Sequence, residues 1–257
     1  MSDNCDADED ITLAYSINGT PGVGETLDGT TLSTGAYTIV WTATDTKGNA
    51  QSCTYKLFIY DGQAPTISTI NDQSRDVDAG KCYYQAHDGE FDPTSTDNCG
   101  AVTLVNMLNN GTSLDGYQFP VGPTTVIWRS TDNSGHAKEM QFEVNVIENE
   151  APTFDLAASL SRDAQSNCSY QVDGTEFDPT NVDDNCSGVF DVTNDYNNYR
   201  SLADAVFPVG TTTVTYTATD ASGNISNCSF DITVTDTEAP VLTDCPMDIT
   251  IYGCSGS

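Results

Sequence analysis

The chain has 257 residues, with 38 acidic against only 8 basic side chains, and a formal net charge of −30 at neutral pH. Such a surface repels phosphate, which excludes nucleic acid and anionic membrane surfaces as partners. No run is long and apolar enough to span a bilayer, so direct membrane insertion is not expected.

Residues 1–62 open in the middle of a pattern, at Asp3-Asn4-Cys5, and no apolar signal region follows Met1. They are expected to hold the last strands of an incomplete domain. The segment Tyr37–Asn49 alternates polar and apolar residues, turns at Asp45-Thr-Lys-Gly-Asn49, and runs on through Cys53, Tyr55, Leu57 and Ile59 on one face. Period two of this kind is the signature of a half-buried strand. The linker Asp61-Gly-Gln-Ala-Pro65 follows.

The same unit recurs in residues 63–149, from Phe119 to Gly135 and then Met140, Phe142, Val144 and Val146. It recurs again in 150–237, from Phe207 to Asn224 and then Cys228, Phe230, Ile232 and Val234. Residues 238–257 begin a further copy. Ala64-Pro65, Ala151-Pro152 and Ala239-Pro240 stand 87 and 88 residues apart, the mark of tandem domains. Both complete copies carry Cys-x-Tyr, then Glu-Phe-Asp-Pro-Thr (Glu90–Thr94 and Glu176–Thr180), then Asp-Asn-Cys. Each has seven or eight short strand-like runs broken by Gly, Pro, Asn and Asp. This predicts an all-β fold of tandem immunoglobulin-like β-sandwich domains in an extended array. Trp41, Trp128 and Tyr216 fall at equivalent inward positions and are expected in the cores.

Nine cysteines occupy four repeat positions. The first is Cys245, matched by Ile70 and Ala157. The second is Cys82, Cys168 and Cys254. The third is Cys5, Cys99 and Cys186. The fourth is Cys53 and Cys228, with Met140 in the middle copy. Bonds Cys82–Cys99 and Cys168–Cys186 are expected within the two complete copies. Each would close a loop of under twenty residues, worth about 3 kcal/mol in the chain-entropy model. Zinc is the weaker reading, since no copy has paired Cys-x-x-Cys or Cys/His spacing. Cys228 is expected on the inward face, opposite Ala157, as a buried thiol. Disulfides persist outside the cell, so the chain reads as a piece of a longer secreted protein, with Met1 set by cloning or by where the segment begins.

The run Phe207-Pro-Val-Gly-Thr-Thr-Thr-Val-Thr-Tyr-Thr-Ala-Thr-Asp-Ala-Ser-Gly-Asn224, then Cys228-Ser-Phe, then Glu238-Ala-Pro, resembles the hyalin repeat, or HYR domain. Asp-Asn-Cys and Cys245-Pro246 belong to the same pattern, and the resemblance covers essentially the whole chain. It implies an immunoglobulin-like fold, an extracellular or cell-surface location and a role in adhesion, and no enzyme. In bacteria the repeat occurs in long surface proteins of the gliding-motility adhesin type. Both complete copies depart from the pattern in lacking the first cysteine.

Acidic residues crowd the predicted joins. A calcium site is expected from Glu148, Glu150, Asp220 and Asn224, with Asp183 and Asp184 near it, since calcium takes six to eight oxygens. The competing reading is that these residues form turns. His87 and His136 sit in no catalytic motif and are expected on the surface. The leading function is a stalk or spacer in a surface adhesin, in contact with neighbouring repeats. One alternative is a module binding surface polysaccharide or protein through loops 106–117 and 194–203, with Tyr117, Tyr196 and Tyr199. Another is a filament built by head-to-tail strand donation.

Overall fold

The computed structural model describes residues 11–186 and 191–244, together with 247, 248, 250, 251 and 253. Cys5, Cys245 and Cys254 lie outside the described residues. Among the described residues the secondary structure is strand and turn, without helix. Two compact units are present. The first takes in the described residues up to 74 together with 85–145, and the second takes in 75–84 together with those from 146 onward.

Residues 12–59 build one four-stranded sheet from β1 (Thr12–Ile17), β2 (Thr20–Pro21), β3 (Gly35–Thr44) and β4 (Ala50–Ile59), in the order β2-β1-β3-β4. Asp45 turns the chain from β3 into β4. Ile39 is fully buried, and Tyr15 stacks at a tilt on Trp41 with ring centroids 5.2 Å apart. Trp41 itself is only half-buried.

The next repeat contributes β5 (Thr66–Ile67), β6 (Gln73–Asp76), β7 (Tyr83–Gln85), β8 (Ser95–Thr96), β9 (Val102–Asn106), β10 (Gln118–Pro120), β11 (Gly122–Asp132) and β12 (Ala137–Ile147). Its main sheet has the order β6-β12-β11-β9, with the pairs β5-β8 and β7-β10 beside it. Phe91, Leu114, Phe119, Val126, Trp128, Phe142 and Val144 are buried between them.

The following repeat copies that plan strand for strand: β13 (Thr153–Asp155), β14 (Leu160–Asp163), β15 (Ser169–Gln171), β16 (Thr180–Asp183), β17 (Asp191–Asn194), β18 (Val206–Pro208), β19 (Gly210–Thr219) and β20 (Ile225–Thr235). Its sheet runs β14-β20-β19-β17, with β13-β16 and β15-β18 as the smaller pairs. The first strand joins parallel to the last, Leu160 opposite Ile232, and the others pair antiparallel. This is an immunoglobulin-like all-β arrangement, as the period-two pattern predicts. Phe177, Phe207, Val214, Tyr216, Phe230 and Ile232 form the core. The shared Glu-Phe-Asp motif is structural. Phe91 and Phe177 fill the cores, while Asp92 accepts the Leu114 N–H at 2.8 Å and Asp178 the Leu202 N–H at 2.8 Å.

Cys228 corrects an expectation: it is exposed. Strand β14 pairs only with residues 232–235 of β20. Cys228 therefore lies on a length of β20 that is a sheet edge, beyond the core that ends at Phe230.

Candidate functional site

The aspartate that follows each long threonine-rich strand clamps the hairpin turn. In the first copy Asp45 Oδ1 accepts the N–H groups of Lys47 and Asn49, and Oδ2 accepts Asn49 Nδ2. In the next, Asp132 Oδ1 accepts Ser134 and His136 N–H, and Oδ2 faces His136 Nδ1 at 3.1 Å. In the last, Asp220 accepts the Asn224 N–H at 2.7 Å and its Nδ2 at 2.8 Å. His136 thus holds the place of Asn49 and Asn224, four residues after the aspartate. Read from sequence it is a surface histidine with no equivalent; its role shows only when the turns are superposed.

Of the six residues expected to gather, three do. Glu148 is buried, and its Oε2 accepts a hydrogen bond from Asn224 Nδ2, which also binds Asp220. Burial and the neighbouring Asp220 raise the Glu148 carboxyl above its ordinary value. Burial also pushes Asp220 up, but the hydrogen bonds from Asn224 outweigh it, and Asp220 ends below the usual carboxylate range.

The other three turn elsewhere. Glu150 accepts the Gly80 N–H with both oxygens at 3.0 Å. Asp184 Oδ2 accepts the Cys186 N–H at 3.0 Å. Asp183 is exposed and engaged through its backbone carbonyl, which accepts the Thr153 hydroxyl. These three line a shallow cleft with Gly80, Thr153 and Asn185. The local reason is the turn of the linker: Glu148 Oε1 accepts the Glu150 N–H, and beyond that turn the Glu150 carboxylate reaches the Gly80 N–H.

One repeat earlier a second acidic cluster occupies the equivalent place. Asp61 brings a carboxylate oxygen within 4.8 Å of ligand atoms of Asp132 and His136, and likewise of Asp97 and Cys99. Asp61 stands three residues before Ala64, as Glu148 stands three before Ala151 and Asp236 three before Ala239. That spacing is the signal by which sequence could have found it. All three linkers fold alike: Asp61 accepts the Gln63 N–H at 3.1 Å, Glu148 the Glu150 N–H at 2.8 Å, and Asp236 the Glu238 N–H at 3.0 Å. In both complete repeats the Asp-Asn-Cys aspartate has one buried oxygen without a hydrogen-bond partner, Asp97 Oδ1 and Asp184 Oδ1. A buried carboxylate oxygen left unpartnered is costly, and carboxylate oxygens are the donors that hard cations take.

The cysteine pairing differs from expectation. Cys82 bonds to Cys186 of the following repeat, across 104 residues, and Cys99 and Cys168 are free thiols. The reason is the docking of the turn at 78–82. Asn185 Nδ2 donates to the Lys81 carbonyl at 2.7 Å, and Glu150 caps Gly80, so Cys82 arrives at Cys186 rather than at Cys99.

The variable loops are pinned from within. Buried Asn106 accepts the N–H groups of Leu108 and Asn109 and donates to the Gly111 carbonyl; buried Asn194 does the same for Tyr196, Asn197 and the Tyr199 carbonyl. Tyr196 packs on Phe207 at 4.4 Å and its hydroxyl donates to the Val206 carbonyl. Tyr117 packs edge-on against Phe119. Tyr199 stands 72% exposed.

The profile of the HYR domain matches residues 60–146 and 149–234. The chain belongs to the HYR domain family. Hyalin of Strongylocentrotus purpuratus is 32% identical to this HYR chain over 231 residues, which is 86% of the chain and 18% of hyalin. The serine-rich adhesin for platelets of Staphylococcus aureus (strain MRSA252) is 31% identical over 200 residues, 72% of the chain and 14% of the adhesin. The HYR chain spans less than a fifth of the length of either relative. Among solved structures, a three-domain titin fragment covers 88% of the chain at 10% identity with a TM-score of 0.36.

Proposed function

We propose that this HYR chain is a spacer segment of an extracellular adhesion protein, and that each repeat binds calcium where its linker enters. The observation that carries the reading is the recurrence of one acidic linker turn at three joins, through Asp61, Glu148 and Asp236. A feature repeated at every join suits a mechanical task shared by all repeats better than a single ligand site. The names of the relatives, a hyalin and a platelet adhesin, support an adhesive and extracellular setting. Surface motility is a narrower case of the same reading.

The two calcium positions are Asp61 with Asp97 and Asp132, and Glu148 with Asp220 and Asn224. Asp183, Asp184 and Glu150 belong to the cleft beside the second. Carboxylate and amide oxygens are the donors calcium prefers, and each carboxylate oxygen already in a hydrogen bond keeps a second lone pair. A bound calcium would offset the mutual repulsion of the buried Glu148 and Asp220 carboxylates. Calorimetric titration of the chain with calcium chloride tests this. Two sites are expected, with dissociation constants on the order of 10⁻⁴–10⁻³ M, as in extracellular modules. Absence of heat at millimolar calcium would remove the calcium part of the reading.

A second reading rests on Tyr199, whose ring is open to solvent at a loop tip. A glycan or protein ligand stacking there would make the repeat a binding module. Retention on a glycan array that is lost in Tyr199→Ala would favour it over the spacer.

A further inference from the structure

The bond between Cys82 and Cys186 joins the second cysteine position of one repeat to the third position of the next. Four cysteines among the described residues are free; Cys53 and Cys228 stand at the fourth position, while Cys99 and Cys168 are the same two positions as the bonded pair, in the opposite repeats. Cys99 is a third-position cysteine, and Cys168 a second-position one.

Their surroundings repeat as well. Cys186 follows Asp184-Asn185 and donates its N–H to Asp184 Oδ2 at 3.0 Å; Cys99 follows Asp97-Asn98 and donates to Asp97 Oδ2 at 2.8 Å. Cys82 ends a turn in which the Lys81 N–H reaches the Asp78 carbonyl and the Asp78 N–H the Tyr83 carbonyl. Cys168 ends the matching turn, in which its own N–H reaches the Gln165 carbonyl and the Gln165 N–H the Ser169 carbonyl. That turn is one residue shorter, and Cys168 takes a φ of 56°. Both free thiols are exposed.

We propose that successive repeats are joined by a staggered disulfide ladder, the second-position cysteine of each repeat bonding to the third-position cysteine of the repeat that follows it. Cys99 is the half that receives a preceding repeat, and Cys168 the half offered to a following one. Their partner is another HYR repeat with Cys-x-Tyr or Asp-Asn-Cys in place. Each rung forms when two thiols lose two protons and two electrons to an oxidised dithiol by exchange, giving one S–S bond and a reduced dithiol. This does not depend on calcium or on the spacer role.

The ladder changes what tension can do. With every rung closed, the shortest covalent path across the second repeat runs from Cys168 to Cys186, 18 residues of the repeat's 87 or 88. The rest of the repeat is bypassed.

The test is the full chain with residues 150–237 inserted a second time after Thr237, so that Cys168 meets a following repeat. Non-reducing digestion and mass spectrometry are expected to yield a Cys82–Cys186 pair and a new Cys168–Cys186 pair. Changing Cys168→Ser in the original copy alone should abolish the second pair and leave the first. Survival of the second pair in that variant would mean that the bond lies within the inserted copy, and would overturn the proposal. So would the absence of any Cys168–Cys186 pair while the Cys82–Cys186 pair is intact.

Discussion

At the scale of residues, the side chains that matter most are small polar ones with every hydrogen-bonding group committed. Asn106 is fully buried and serves two N–H groups and the carbonyls of Gly111 and Ser113. Asn106→Ala strands buried backbone donors, so a loss of about 1–3 kcal/mol is expected. It should appear as a lower urea midpoint with an unchanged slope. The hairpin aspartates set the acid side of the pH profile. Asp45 lies below its ordinary 3.8 because the Asn49 side chain and backbone donate to it, and Asp132 and Asp220 lie below it despite burial. Their contribution is full above the unfolded value and is lost as pH falls through the folded one. Glu148 has the opposite sign. Its folded value is raised above 4.5, so stability falls as pH rises from 4.5 through that folded value. In chelator, thermal melts of Glu148→Gln should lose this fall while keeping the acid-side loss; an unchanged profile would mean that Glu148 is not the group responsible.

At the scale of elements, the hairpins were legible from sequence and the cross-link was not. Alternation through Thr213–Thr219 and Cys228–Val234 gives the β19–β20 pair directly, because period two depends only on neighbouring residues. Trp128 and Tyr216 are buried where the alternation puts them. The acidic site was half legible. Glu148, Asp220 and Asn224 meet, while Glu150 takes the Gly80 N–H and Asp184 the Cys186 N–H of its own loop. Asp61 was missed because only the alignment of three linkers exposes it. Bond pairing escaped because cysteine spacing favours short loops, whereas the docking of a turn onto the next repeat is a tertiary event. The energetics separate the two pairings. A loop of about 100 residues is worth about 4.7 kcal/mol in the chain-entropy model, so Cys186→Ser should lower stability by roughly that amount. Cys99→Ser should change it little. Equal losses from both, in denaturant unfolding without reductant, would favour bonds within repeats.

At the scale of the whole molecule, the same acidic turn recurs in three linkers, and one second-to-third cysteine link ties two repeats. Calcium binding and a disulfide ladder are the proposed extensions of these two features. Calcium should raise the melting temperature, and Asp97→Asn combined with Asp220→Asn should reduce that rise; a rise unaffected by the pair would put calcium elsewhere on this acidic surface. In a laddered array, extended chain at about 3.4 Å per residue gives about 60 Å for the 18-residue path. Without rungs, a full repeat gives about 300 Å. Pulling in oxidising buffer should therefore release little length, and reductant should restore full increments.

The central claim is that neighbouring repeats are covalently tied. Its most direct measurement is peptide mapping of the intact chain after alkylation without reductant. The account predicts one linked pair between the Cys82 and Cys186 peptides, with Cys99 and Cys168 alkylated. Pairs joining Cys82 to Cys99 and Cys168 to Cys186 would contradict it.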